Sequence, residues 1–166
     1  LAAIISHDEW LPAQFGRPYA ARYPQYRLYC DPWERFSVVS FVWGPGQKTP
    51  VHDHTVWGMV GVLRGLELCE EFSRDSAGGE LYTTGRHEVT VGDIDLVSKH
   101  VGDIHRVSNA LTDRESVSIH VYGANIGAVR RHVFDVQTGQ STEFISGYSG
   151  DVMPNIWDRS QDPRGA

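Results

Sequence analysis

The run His52-Asp53-His54 has the most chemically suggestive spacing in this 166-residue chain. Residues two apart on a strand project to one face, so the two imidazoles converge wherever the segment is extended. Neutral imidazole is a good ligand for iron, copper, nickel and zinc, and two on same-face positions make half of a facial site. An isolated pair of this kind also fits a plain surface position. His105 offers a third imidazole, in a stretch that begins at Gly102 and ends at Asn109. Ser118-Ile119-His120-Val121-Tyr122 is a second informative run, and its alternation is strict. Val117, Ile119 and Val121 face one side, while Ser118, His120 and Tyr122 face the other. Three polar groups on one face can pass hydrogen bonds along a line, fixing the imidazole tautomer and aiming the Tyr hydroxyl. The alternative is a strand with one face in solvent.

Positioning such groups requires strands, and the chain supplies them. From Glu34 onward apolar residues run continuously or alternate over 36–43, 56–63, 66–72, 88–91, 94–97, 105–107, 116–122 and 131–134. Turn signals separate nearly all of them: Gly44-Pro45-Gly46, Gly65, Ser76-Ala77-Gly78-Gly79, Gly92-Asp93, Gly102-Asp103, Asn109 and Gly123. The 17 glycines and 8 prolines are spread as punctuation, and seven or eight strands so spaced imply an all-β antiparallel sandwich or barrel. Residues 7–23, with Pro12, Gly16 and Pro18 among aromatics, read as an irregular wrap with a helical turn. The tail after Gly147 is expected to pack back over the sheet and fray at its end. No repeat or linker divides residues 1–166, so a single domain is expected.

Composition narrows the partners. With 15 Lys and Arg against 21 Asp and Glu, the formal charge is −6; without a basic block there is no electrostatic footprint for nucleic acid or anionic lipid. Cys30 and Cys69 form no paired motif, so neither a disulfide framework nor a zinc knuckle is expected, and a reduced, cytoplasmic setting fits. No apolar run approaches the ~18 residues of a membrane helix. The first residue is Leu rather than Met, which points to a missing N-terminal segment.

The wider spacing around these histidines resembles the cupin jelly rolls. Gly46, His52, His54 and Gly65 match the first cupin histidine motif, and Gly102, His105 and Asn109 match the second, which makes His105 the third ligand. Most metal cupins place a Glu four residues after the second His; here Gly58 stands there. Three neutral ligands would leave a divalent ion its full charge and an open face, so that two anions can bind. The second motif's usual Pro is replaced by His100, read as a turn residue.

More specifically, WGPGQKTPVHDH, SIHVYGANIGAVRR, FISGY and MPNIWD resemble the bacterial thiol dioxygenases, closest to the 3-mercaptopropionate branch of the cysteine dioxygenase family. The likeness runs from about Asp8 to Asp158. It implies a mononuclear non-haem Fe(II) held by His52, His54 and His105, with a Ser118–His120–Tyr122 relay beside it. It also implies a small thiol carboxylate and dioxygen as reactants, a sulfinate as product, and an N-terminal helical segment ahead of Asp8. The expected assembly is a monomer or weak homo-oligomer. Animal members form a thioether between a Cys shortly after the metal pair and the active-site Tyr; with Gly58 and Met59 there, no such crosslink is expected.

Animal members bind the substrate carboxylate with an Arg, and the mercaptopropionate branch resembles this chain in having Gln25 before Tyr26. Arg27 departs from that branch. Gln25 and Arg27 share a face if extended, and Arg is the better bidentate carboxylate partner. Mercaptosuccinate therefore joins 3-mercaptopropionate as a candidate substrate, with cysteine less favoured. A zinc- or nickel-dependent isomerase or hydrolase and a non-catalytic ligand-binding module are the alternatives. Arg130-Arg131 reads as a structural ion-pairing site, Trp57 as core and Cys69 as a small buried hydrophobe. His7, His87 and His132, without partner spacing, read as surface residues.

Overall fold

The β-branched and aromatic runs fold as strands joined by glycine-bearing turns. The computed structural model describes residues 1–75 and 79–150; the expected turn at 76–78 and the MPNIWD segment lie outside them. In chain order the strands are β1 (Gln25–Cys30), β2 (Ser37–Trp43), β3 (Val51–His52), β4 (Gly58–Arg64), β5 (Leu66–Arg74), β6 (Leu81–Thr90), β7 (Ile94–Val97), β8 (Ile104–Asn109), β9 (Ser116–Tyr122), β10 (Arg131–Phe134) and β11 (Ser141–Phe144). A short helix, α1 (Ala2–Ile5), and 3-10 turns at Ala13–Gly16 and Ile126–Ala128 complete the regular structure among the described residues. The strands outnumber the expected runs. Residues 88–91 prove to be the end of β6, whose earlier residues are mostly exposed and polar, and β11 is a polar edge strand. Neither carries an apolar signal.

Two antiparallel sheets result, in the orders β1-β2-β9-β4-β7 and β11-β10-β3-β8-β5-β6. The chain crosses between them at Gly65, where φ is +80°, and a Cβ there would lie 2.9 Å from the Ser116 backbone. Glycine is the residue that meets both demands. The N-terminal segment covers the outer face of the first sheet, where Ile5, Leu11, Val42, Leu63, Val117 and Ile119 form one cluster. This cover buries β9 on both faces. Val117 and Ile119 meet the wrap; Ser118, His120 and Tyr122, at 0%, 3% and 2% exposure, take the opposite side of the strand. The half-solvated alternative for β9 is thereby excluded.

Trp57 departs from expectation: it is 49% exposed rather than core. Alternation carried on from His52 and His54 puts Trp57 on the face away from the metal, but Thr55, at φ +60°, ends that extended run and β4 begins only at Gly58. No helix among the described residues is long and apolar enough to cross a membrane.

Candidate metal centre

β3 pairs with β8 so that His52 stands directly opposite His105. The chain runs on from His52 to His54 before turning at Thr55. Spacing in sequence and register across the sheet thus deliver three rings to one place, with centroids 4.8, 4.9 and 4.8 Å apart. All three are buried, and their ligand atoms lie within 4.8 Å of one another.

Each ring is held from behind. His52 Nδ1 donates to Pro50 O at 3.1 Å, His54 Nδ1 donates to Asp103 Oδ1 at 3.2 Å, and His105 Nδ1 lies 3.6 Å from Cys69 Sγ. With Nδ1 engaged, Nε2 is left to face inward, the arrangement that selects the metal-binding tautomer. His54 Nε2 is buried with no hydrogen-bond partner among the described residues. Burial, reinforced by the neighbouring imidazoles, pushes His52 and His105 well below the usual histidine range. Neutral rings with converging lone pairs and one orphaned nitrogen fit a divalent cation.

The residue between the two ligands turns the other way. Asp53 accepts from the His132 backbone N–H and from His132 Nδ1, both at 2.8 Å. His132 is therefore not a bystander, because it fastens β10 to the metal-binding segment. Asp103 similarly collects the backbone N–H groups of His54 and Thr55, each at 3.0 Å. Burial pushes its carboxyl up, but the His54 contact and these amides outweigh that and leave it below the usual range.

Alongside, β9 carries a continuous polar line. Ser118 Oγ lies 2.8 Å from His120 Nε2, and His120 Nδ1 lies 2.8 Å from the Tyr122 hydroxyl. Trp43 Nε1 donates to Ser118 at 3.2 Å, and His120 stacks on Phe41 with centroids 4.2 Å apart. Tyr122 in turn stacks on His54 at 5.4 Å. A Cβ at Gly58 would lie 2.8 Å from the Tyr122 ring, so this tyrosine occupies the space that a side chain at position 58 would need. Sequence reasoning missed the inner end of the line. Glu67 is 1% exposed and accepts from Ser116 Oγ at 3.3 Å, while its Oε2 is buried with no hydrogen-bond partner among the described residues. Burial pushes its carboxyl up to about 8, so it is protonated at neutral pH.

The three histidines and Tyr122 open on a cavity of about 370 Å³. Gln25 lines it, with its Nε2 donating to Gly147 O at 2.9 Å and to Ser146 O at 3.4 Å. Arg27 does not line it. Gln25 pairs with Phe41, which lines the cavity, whereas Arg27 pairs one step on with Val39, which does not, and the Arg27 guanidinium lies 5.8 Å from the Tyr148 ring centroid. The expected Gln25–Arg27 pair is therefore not brought together in this cavity. The buried cation there is Arg131, 4% exposed. It donates to Ser146 Oγ at 2.6 Å and lies 4.7 Å above Phe144, while its Nε is buried with no hydrogen-bond partner among the described residues. Burial pulls its pKa down, though a guanidinium keeps its charge at any working pH. The expected ion pair forms at Arg130, which meets Glu143 at 2.9 Å; among the described residues Arg131 makes a hydrogen bond to Ser146 in place of an ion pair. Among the described residues the cavity wall holds Arg22 and Arg131 but no Asp or Glu.

His100 sits in the turn between Ser98 and Gly102, exposed, as expected. His7 is exposed beside Glu9. His87 is not isolated: its Nε2 lies 2.7 Å from Asp95 Oδ2. Both cysteines are buried and outside any disulfide. Cys69, read as a small hydrophobe, touches the ligand His105, and burial with the Asp95 and Glu71 carboxylates pushes its thiol up to about 12.

Solved structures share this architecture. A conserved protein with a double-stranded β-helix domain from Klebsiella pneumoniae is 18% identical, with TM-score 0.51 over 73% of this chain and 95% of that one. A protein of Thermus thermophilus is 17% identical, with TM-score 0.51 over 68% and 92%. A cupin superfamily protein from Desulfitobacterium hafniense is 11% identical, with TM-score 0.50 over 72% and 95%. These likenesses establish the cupin fold. The profile of cysteine dioxygenase type I matches residues 20–135, a span that holds the three histidines, the polar line of β9 and Arg131. The chain belongs to the cysteine dioxygenase type I family.

Proposed function

We propose that this protein oxidises a small thiol carboxylate, 3-mercaptopropionate or mercaptosuccinate rather than cysteine, to its sulfinate at a non-haem Fe(II). In the balanced reaction, R–SH and O2 give R–SO2H: sulfur loses four electrons and dioxygen gains four, with both oxygen atoms retained. His52, His54 and His105 would hold the ion through Nε2. When bound, it supplies the redox chemistry that joins sulfur and dioxygen.

The observation that carries the substrate choice is the charge of the cavity wall. It presents two guanidinium groups and no carboxylate among the described residues, which suits an anion and leaves the ammonium of cysteine without a partner. Arg131 is the carboxylate anchor in this reading, since its unpartnered Nε can donate beside the nitrogen already held by Ser146. Gln25 holds the backbone at Ser146 and Gly147 and so positions that anchor. Arg22, exposed at the rim, is placed for the second carboxylate of mercaptosuccinate. Arg27 has no role in contact with substrate.

Tyr122 works as a directed hydrogen-bond donor. Trp43 Nε1 donates to Ser118 Oγ, which leaves the Ser118 hydroxyl to donate to His120 Nε2 and His120 Nδ1–H to donate to the Tyr122 oxygen. The phenol proton then points into the cavity, where it can meet the substrate carboxylate or the incoming oxygen.

An oxygen electrode decides the matter. Iron-loaded, reduced protein should consume one O2 per sulfinate formed with 3-mercaptopropionate or mercaptosuccinate, and with cysteine far more slowly. Absence of uptake with every thiol would overturn the reading. Arg131→Ala should raise KM roughly 10- to 100-fold, the scale of a lost charge-assisted contact. Tyr122→Phe should lower kcat with iron retained.

A further inference from the structure

We propose that Cys69, His87 and Asp95 form a second metal site, suited to a thiophilic divalent cation such as Zn2+, on the opposite edge of His105 from the main centre. The site is built by two independent features of the fold. Cys69 on β5 and His87 on β6 are direct cross-strand partners, which puts their Cβ atoms ~4.5–5.5 Å apart on one face. Asp95 arrives from β7, in the other sheet, with Oδ2 2.7 Å from His87 Nε2. The three ligand atoms lie within 4.8 Å of one another.

One sulfur, one nitrogen and one oxygen donor are three corners of the tetrahedron that Zn2+ takes, with bonds of ~2.0–2.3 Å. A thiolate and a carboxylate together neutralise the charge of the ion, which burial favours. Access and a fourth position are also present. The His87 and Asp95 side chains are 40% and 27% exposed. A cavity of about 300 Å³, lined by Cys69, Asp95 and His105 with Leu96 and Val101, adjoins them. Binding exchanges hydrogen bonds for metal bonds without redox change: the thiol releases one proton to solvent, and His87 moves its ring proton from Nε2 to Nδ1 as the bond to Asp95 opens.

The consequence reaches the main centre. His105 Nδ1 lies 3.6 Å from Cys69 Sγ, and a metal-bound thiolate is a stronger acceptor of that N–H than a thiol. Filling the second site would raise the basicity of one ligand of the first.

The test uses the metal-free full chain and Co2+ alone, without thiol reductant or substrate, so that its result is independent of any dioxygenase activity. Two equivalents should bind, one of them with a near-ultraviolet thiolate-to-cobalt charge-transfer band. That band should survive His54→Ala, vanish in Cys69→Ser, and need roughly 10- to 100-fold more Co2+ in His87→Ala, a half-exposed substitution that spares the core. Binding of a single equivalent, absence of the band, or its persistence in Cys69→Ser would each overturn the proposal.

Discussion

His105 stands between two groups of metal-binding side chains left in opposite conditions. On its Nε2 side, three imidazoles converge with their backs hydrogen-bonded, and His54 Nε2 has no hydrogen-bond partner among the described residues. On its Nδ1 side, His87 and Asp95 already satisfy each other at 2.7 Å beside Cys69. The donor types overlap, yet the cost of being empty differs. A buried polar atom without a partner costs ~1–3 kcal/mol, which an ion at the main centre relieves; an ion at the other group must first part a hydrogen bond. Affinity order between two such sites is set by what their ligands do without the metal as much as by which ligands they are.

The contrast can be broken at its strongest point by His54→Ala. One ligand of the triad is removed, and iron content after loading should fall at least ~100-fold, read by metal analysis of desalted protein. Asp103→Asn tests the backing rather than the ligand. The His54 tautomer is then held less firmly, and iron affinity should drop roughly 10- to 100-fold in a chelator competition.

Glu67 extends the contrast to a buried group that avoids its charge. Its folded pKa, about 8, lies above the ordinary 4.5. Between those values the unfolded chain gives up a proton that the fold retains, so the protein loses stability as pH rises through that window and levels off above it. Glu67→Gln should remove the slope and be more stable than the parent by about 1–3 kcal/mol at pH 8. Urea midpoints that shift in parallel between pH 5 and pH 8 would contradict this. The smallest effect belongs to Asp95→Asn, which should leave iron affinity within about threefold of the parent because it backs no ligand directly; a larger loss would mean that the two groups are not separable.

The His52–His54 pair and the polar line of β9 were legible in sequence because both rest on short-range parity; His105, which lies opposite His52 only through the β3–β8 register, was legible through its likeness to the second cupin motif. Other groups made by pairing distant strands were not. Arg130 and Arg131 differ by one step, and only the register of β10 against β3, with His52 opposite Val133, decides which guanidinium faces the cavity. Glu67 and Glu70 sit at opposite parity on β5, and nothing local distinguishes the buried one. His87 had no neighbour to pair with until β5 lay beside β6 and the second sheet brought up Asp95. Arg27 had the right parity but stands opposite Val39, one step beyond the Phe41 that lines the cavity beside Gln25, a distance along the strand that alternation does not report.

The hydrogen-bonded clasp of Asp53 on His132 makes the sheet a gauge of chain length. It locks β10 against β3, so Arg131, one two-residue step from the Val133 that faces His52, keeps a fixed offset of ~6.6–6.8 Å along the strand. Under the proposed anchoring, a thiol whose carboxylate falls a carbon short or long of that interval would not be accommodated by sliding β10, because a one-residue slip turns Arg131 out of the cavity altogether. If Arg131 anchors the carboxylate as proposed, selectivity for substrate length becomes a property of strand register, held by Asp53 and His132 rather than by the anchor itself.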